Sequence, residues 1–260
     1  MSGMVNIYSI WVVLVGLALG SFLNVVIYRL PRSESLVKPG SRCPSCKKPI
    51  AWYDNIPIVS YFLLRGKCRH CGNRISWRYP VVEAITALVL SALFAVHGLT
   101  PLFFVYSVLV LFLIPIAFID LQTGLIPNAL TFSGFILGVI LAFGLQFENW
   151  KSLLIGAVVG GAILLFFGIL GRWIFRRESI GMGDVKLLVL IGVYMGFPEV
   201  VYSLFLGVFV AGLFILIGML MKKIRLHDTV PFGPFIAIGT VVYMCFGNVL
   251  LSWYLGLFHY

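Results

Sequence analysis

The segment Gly181-Met-Gly-Asp184-Val-Lys186-Leu-Leu-Val-Leu-Ile-Gly-Val-Tyr-Met-Gly-Phe197-Pro198 decides how the rest of the chain is read. From Val185 to Phe197 only thirteen residues precede Pro198, whereas a helical crossing needs about 20 predominantly apolar ones. Lipid offers no partner to exposed backbone polar groups, so the Gly-Met-Gly-Asp stretch must itself enter the bilayer or line a water-filled cavity within it. Asp184 is thereby placed roughly one turn below the membrane surface.

The flanking sequence makes a bilayer the right solvent to assume. Of 260 residues, 61% are apolar and only 11% charged, against about 25% charged residues in ordinary soluble domains. Mean hydropathy is +1.05, and a water-soluble globule is excluded. The apolar runs are continuous, not alternating, which argues against a β-barrel. Breaks at charges, prolines and polar clusters give eight candidate spans: 5–28, 80–97, 102–119, 129–147, 152–171, 181–197, 200–221 and 232–255. The fold class expected is an all-α polytopic membrane protein of about eight transmembrane helices. A small cytoplasmic zinc-binding domain would sit between helices 1 and 2. The divisions expected are 1–28 for the first span, 29–79 for the cytoplasmic domain and 80–260 for a seven-helix core. The first run has no Lys or Arg before it, so it lacks the basic start of a secretory signal and reads as a retained helix.

Net charge is +10, which in a soluble protein would suggest nucleic acid. Here it records orientation. Threading eight spans puts 18 of the 19 basic residues on one side and leaves Lys151 alone on the other. The positive-inside rule makes the first side cytoplasmic and puts both termini outside. That cytoplasmic side carries 18 basic against seven acidic residues, and no nucleic-acid partner is expected.

The sizeable extramembrane piece, residues 29–79, is too short to build a strong core unaided. It contains Cys43-Pro-Ser-Cys46 and Cys68-Arg-His-Cys71, two CxxC pairs with 21 residues between them. That spacing matches a structural tetrahedral zinc site, whose binding energy would become folding energy. Free thiols or disulfides are the alternative, and a reducing compartment disfavours disulfides. His70 lies inside the second pair and is a potential substitute ligand. Cys245, alone in the last span, reads as packing. Gly16 with Gly20 and Gly156 with Gly160 have the spacing of close helix packing.

Nine acidic residues occur, and two of them stand where a charge is costly. Asp120 ends the third span just beyond Pro115, at a depth similar to that of Asp184. Two neighbouring aspartates would share a proton, so that one activates water while its protonated partner polarises a carbonyl. Gly181 and Gly183 would let a substrate backbone approach Asp184 closely. Taken singly, Asp120 also suits a helix end facing water and Asp184 an N-cap, or either could pair with Lys186 or an arginine.

As a set these residues are recognisable. The chain resembles the type IV prepilin peptidases, GxGD-type membrane aspartic proteases that also act as N-methyltransferases. The resemblance runs through Gly20-Ser-Phe-Leu-Asn24, the two cysteine pairs with Asp54-Asn-Ile-Pro between them, Arg78-Tyr-Pro-Val-Val-Glu83 and Asp120-Leu-Gln-Thr-Gly-Leu-Ile-Pro127. It continues in Gly181-Met-Gly-Asp184 and Pro231-Phe-Gly-Pro234. It implies cleavage of a short basic leader from prepilins or pseudopilins after a glycine, at the cytoplasmic face of the bacterial inner membrane. It also implies methylation of the new N-terminal residue, usually phenylalanine, with S-adenosylmethionine as cofactor. Matching positions would make Asp120 and Asp184 catalytic and Cys43, Cys46, Cys68 and Cys71 zinc ligands. Gly66 and Lys67 resemble a stretch linked to methyl transfer. An acidic reception for a basic leader on so basic a face would fall to Glu34, Asp54 and Glu83. A transporter would show paired broken helices in two related halves, and the chain shows one broken segment and no repeat. A membrane adaptor docking through the zinc domain would leave the buried aspartates without a purpose.

Overall fold

Apolar runs bounded by glycine, proline and charge fold as helices at each of the eight expected places. The computed structural model of the protein describes residues 2–146, 148–175, 181–225 and 229–256. Among the charges tallied above, Arg176, Arg177, Glu178 and Asp228 lie outside the described residues. The helices are α1 (Ser2–Arg29), α2 (Val59–Leu63), α3 (Arg78–His97), α4 (Pro101–Thr123), α5 (Asn128–Leu145), α6 (Trp150–Phe175), α7 (Met182–Met195), α8 (Glu199–Leu220) and α9 (Gly233–Gly256). Among the described residues there is no strand, and six helices are long and apolar enough to cross a membrane. The protein is thus an all-helical, multi-pass membrane protein. As the arithmetic on Val185 to Phe197 requires, α7 has only 14 residues, about 21 Å of helix at 1.5 Å per residue.

The chain packs as two units, Met1–Leu99 and Thr100–Tyr260. In the first, α1 lies along α3 with almost no space between the backbones. A Cβ on Gly16 would stand 2.7 Å from the Ala87 Cα, and one on Gly20 would stand 2.7 Å from the Glu83 Cα. The Gly16 and Gly20 spacing is therefore a packing stripe, in which missing side chains let two helices touch. Polar groups reinforce the seam. Buried Asn24 donates from Nδ2 to the carbonyls of Tyr79 (3.0 Å) and Gly20 (3.3 Å). The Arg29 guanidinium donates to the carbonyls of Ser35 (2.9 Å) and Gly40 (3.0 Å), so the end of α1 shapes the loop that follows it.

In the second unit, α6 packs on α7 through the same device. A Cβ on Gly156 would lie 2.7 Å from the Gly196 Cα, and one on Gly160 would lie 2.9 Å from the Leu188 carbonyl oxygen. Fully buried Tyr194 donates its hydroxyl to the Gly134 carbonyl at 2.9 Å, joining α7 to α5. Short as it is, α7 is enclosed, with Leu187, Leu188, Leu190, Ile191 and Tyr194 without exposure. Helix α4 begins at Thr100, whose hydroxyl accepts from the Phe103 N–H, and continues through Pro115 to a left-handed Gly124.

Replacing Gly20 by Ala is expected to lower the thermal midpoint in detergent, with an overpacking cost of about 1–3 kcal/mol. The same change at Gly212 of α8, where a Cβ meets nothing within 4 Å, should leave the midpoint in place. Equal midpoints for the two variants would refute the close seam.

Candidate functional site

The two cysteine pairs fold into copies of one turn. In the first, the Cys43 N–H donates to the Lys48 carbonyl and the Lys47 N–H to the Cys43 carbonyl. In the second, the Cys68 N–H donates to the Asn73 carbonyl and the Gly72 N–H to the Cys68 carbonyl. Lys47 and Gly72, at the same place in each turn, both take the left-handed conformation. Single antiparallel bridges, Arg42 to Pro49 and Lys67 to Arg74, close the two loops.

These turns bring Cys43, Cys46, Cys68 and Cys71 together with all four sulfurs within 4.8 Å of one another. Cys43 Sγ lies 3.8 Å from Cys71 Sγ. Four sulfurs at the corners of a tetrahedron around zinc, each about 2.3 Å from the metal, stand about 3.8 Å apart. The residues therefore fit a structural Cys₄ zinc centre. Burial works against the Cys43 thiolate, but the backbone N–H groups of Cys46 and Ser45 and the neighbouring thiols draw that thiol down to about 6. His70 is exposed and outside the cluster, and Cys245 is buried in α9.

In the second unit the two aspartates approach from opposite ends of their helices. Asp120 sits in the last turn of α4 and is 5% exposed. Its Oδ2 accepts the Gly233 N–H at 3.0 Å, at the first residue of α9. A Cβ on Gly233 would stand 2.7 Å from that same oxygen, so only glycine permits the contact. Asp184 occupies the first turn of α7, where Gly181 is the N-cap. Its carboxylate folds back toward that cap: a Cβ on Gly181 would lie 3.5 Å from Asp184 Oδ2. An acid three residues beyond the cap also complements the helix dipole. The N-cap place weighed for Asp184 belongs to Gly181 instead, and Asp184 lies within the first turn.

Ile126 fits between the helix starts. A Cβ on Gly183 would meet Ile126 Cβ at 3.0 Å, and one on Gly233 would meet Ile126 Cδ1 at 3.3 Å. The loop after α4 therefore abuts the beginnings of α7 and α9 at their glycines. Lys186 is engaged elsewhere, donating from Nζ to Asn128 Oδ1 at 2.8 Å. Sequence reasoning assigned no role to Gly233 or Ile126. The Pro231-Phe-Gly-Pro234 run was visible, but nothing local showed that its backbone N–H would meet Asp120.

In the first unit, Glu34, Asp54 and Glu83 all line one cavity of about 900 Å³. Two of the three carboxylates already have partners. Asp54 accepts two hydrogen bonds from the Arg69 guanidinium, at 2.6 and 2.8 Å. That contact holds its carboxyl below the usual carboxylate range. Glu83 Oε2 accepts the Ile58 N–H at 2.7 Å. Gly66 and Lys67 are not part of the cavity lining. Gly66 is buried at φ +65, and a Cβ there would meet the Tyr61 hydroxyl at 2.9 Å. Its N–H closes the end of α2 on the Tyr61 carbonyl at 2.8 Å, which is reason enough for a glycine.

Comparison with known proteins places the chain in a family. Residues 14–97 match the bacterial peptidase A24 N-terminal domain, and residues 107–217 match the type IV leader peptidase family. A prepilin leader peptidase/N-methyltransferase of Myxococcus xanthus (strain DK1622) is 41% identical over 189 residues, which are 73% of this chain and 56% of that protein. One from Neisseria gonorrhoeae is 32% identical over 267 residues, 92% of each chain. Another from Bacillus subtilis (strain 168) is 31% identical over 242 residues, 92% of this chain and 95% of that one. No solved structure gives a match.

Elemental analysis of the purified chain is expected to find about one zinc, with the tetrahedral sulfur coordination seen by X-ray absorption. Cys43→Ser should lose the metal and unfold residues 29–79. A metal-free preparation with that segment still protected from proteolysis would refute the zinc assignment.

Proposed function

The chain belongs to the type IV leader peptidase family, and on that footing we propose that it cleaves the short basic leader of prepilins or pseudopilins after a glycine. Membership makes it an enzyme, a peptidase with N-methyltransferase activity. It would then methylate the exposed N-terminal residue, usually phenylalanine, and so serve pilus, type II secretion or competence assembly. The eight helices α1 and α3 to α9 would form the eight spans in the bacterial cytoplasmic membrane, α7 with the help of the Gly-Met-Gly-Asp stretch before it, with both termini outside and the active site at the cytoplasmic face. By this topology 29–79 is the cytoplasmic domain, flanked by the first span at 1–28 and a seven-helix core at 80–260.

Asp120 and Asp184 carry the peptidase step in this reading. The supporting observation is their convergence: one from the end of α4 and the other from the start of α7, on either side of Ile126, with Asp120 buried. Carboxylates so placed hold one proton between them; the ionised one takes a proton from water and the protonated one polarises the scissile carbonyl. The Gly233 N–H fixes which Asp120 oxygen is occupied and so orients the other. Gly181 and Gly183 keep the approach to Asp184 free of side chains.

A prepilin is a basic leader followed by an apolar helix, so its cleavage point lies at the depth of these aspartates. Acids at the cavity of the first unit would receive the leader. Glu34 is the strongest of the three candidates, because Asp54 is balanced by Arg69 and Glu83 holds a backbone N–H. S-adenosylmethionine would supply an electrophilic methyl group to the new amine. Lys67, beside the second cysteine pair, would contribute to that step, and Gly66 would hold the turn that presents it. Zinc would act as the core of the cytoplasmic domain and take no part in chemistry.

Asp120→Asn and Asp184→Asn are each expected to reduce prepilin cleavage by about 10²-fold or more. Methylation of a pre-cleaved peptide should persist in both. Cleavage near the wild-type rate in either folded variant would sink the paired-aspartate mechanism. Gly233→Ala removes a hydrogen bond to a charged group, worth about 1.5–3 kcal/mol. It should lower kcat by roughly 10-fold or more and lower the thermal midpoint as well, and an unchanged kcat would separate Gly233 from catalysis.

A further inference from the structure

Helix α2 is a five-residue turn of helix whose apolar side chains point away from any core. Val59, Phe62 and Leu63 are exposed, Leu63 at 77%. In a domain standing in water this would be an expensive placement, since burying apolar surface is worth about 25 cal/mol per Å². The aromatic neighbours show what lies beyond it. Trp77 is 63% exposed, its ring centroid 5.0 Å from that of Tyr61 and 6.2 Å from that of Phe62.

Trp77 is the residue immediately before α3. It falls on the same helical face as Val81, Ile85 and Leu88, all exposed. On a helix that crosses a bilayer, an exposed stripe of that kind faces acyl chains. Trp77 extends the stripe to the helix end, the depth at which tryptophan gathers at membrane interfaces. Phe62 rests against it, so the apolar face of α2 is continuous with the lipid-facing side of α3.

Charge is arranged to match. Arg65 and Lys67 follow α2 directly, and the Lys67 to Arg74 bridge sets Arg74 beside them; all three are exposed. An apolar helical face edged with basic residues is the composition of an element that lies in the headgroup region of an anionic membrane.

We propose that α2 is an interfacial anchor: Val59, Phe62 and Leu63 enter the acyl boundary beside Trp77, while Arg65 and Arg74 engage anionic phospholipid headgroups. The anchor holds the cysteine domain against the bilayer at a set height. This goes beyond the peptidase reading and does not require it.

The test uses the full chain in nanodiscs of phosphatidylcholine and phosphatidylglycerol, with photo-crosslinking benzoylphenylalanine in place of Leu63 and, as a reference, of Leu88. After irradiation, intact-mass analysis should find phospholipid adducts at position 63 in yield comparable to position 88. Phosphatidylglycerol should be enriched among the position-63 adducts by about fivefold over its bulk share, the size expected of a basic residue near an anionic surface. That enrichment should vanish in Arg65→Gln/Arg74→Gln. Lipid adducts at 88 but none at 63, or capture of added substrate peptide at 63, would overturn the anchor. Lipid adducts without enrichment would overturn the headgroup contacts.

Discussion

One hydrogen bond, from the Gly233 N–H to Asp120 Oδ2 at 3.0 Å, holds the membrane core in its working arrangement. It joins the last turn of α4 to the first residue of α9, 113 positions away in the chain. Its geometry excludes a side chain at residue 233, and the same crowding brings Ile126 against both Gly233 and Gly183. The start of α7, and Asp184 with it, is thereby set beside the end of α4. A charge at this depth needs a protein partner because lipid provides none. The partner is a backbone amide left unsatisfied by its own helix, since the first N–H groups of a helix lack intrahelical acceptors.

The two units solve the problem of holding shape without a large aqueous core by different chemistry. In the second, glycines let backbones touch, as where α6 meets α7 at Gly156 and Gly160. Tyr194 then spends its one polar group on the Gly134 carbonyl. In the first, α1 and α3 use the same glycine device, but residues 29–79 have neither length nor apolar content for it. There, two copies of one turn converge four thiols into a site of zinc dimensions, and Arg29 and Glu83 tether the loop to the helices through backbone groups. A metal bound there would stand in for the hydrophobic core that this stretch lacks.

Much of this was legible in the order of residues. Hydropathy located every long helix to within a few residues, because a bilayer punishes any polar interruption of a span. The short run from Val185 to Phe197 announced an incomplete crossing. Two CxxC pairs pointed to four thiols in one cluster, which the fold forms. Contacts between distant segments were not legible there. Gly66, besides its resemblance to a functional stretch, closes α2 against Tyr61. Lys186 was a plausible partner for an aspartate, and instead it bonds Asn128. Asp54, a candidate receptor for positive charge, is paired with Arg69, 15 residues on.

By itself the sequence determined that the chain is a multi-pass helical membrane protein, where four thiols could meet, and which two acids fall within its apolar runs. Those properties follow from local composition and spacing, which a bilayer and a metal each read one segment at a time. Tertiary structure alone decided which backbone amide holds Asp120, that Ile126 separates the two glycine-flanked helix starts, and that α2 turns its apolar face outward beside Trp77. Each depends on where segments far apart in the chain come to rest, and such placements are settled by packing across helices, which no local pattern encodes.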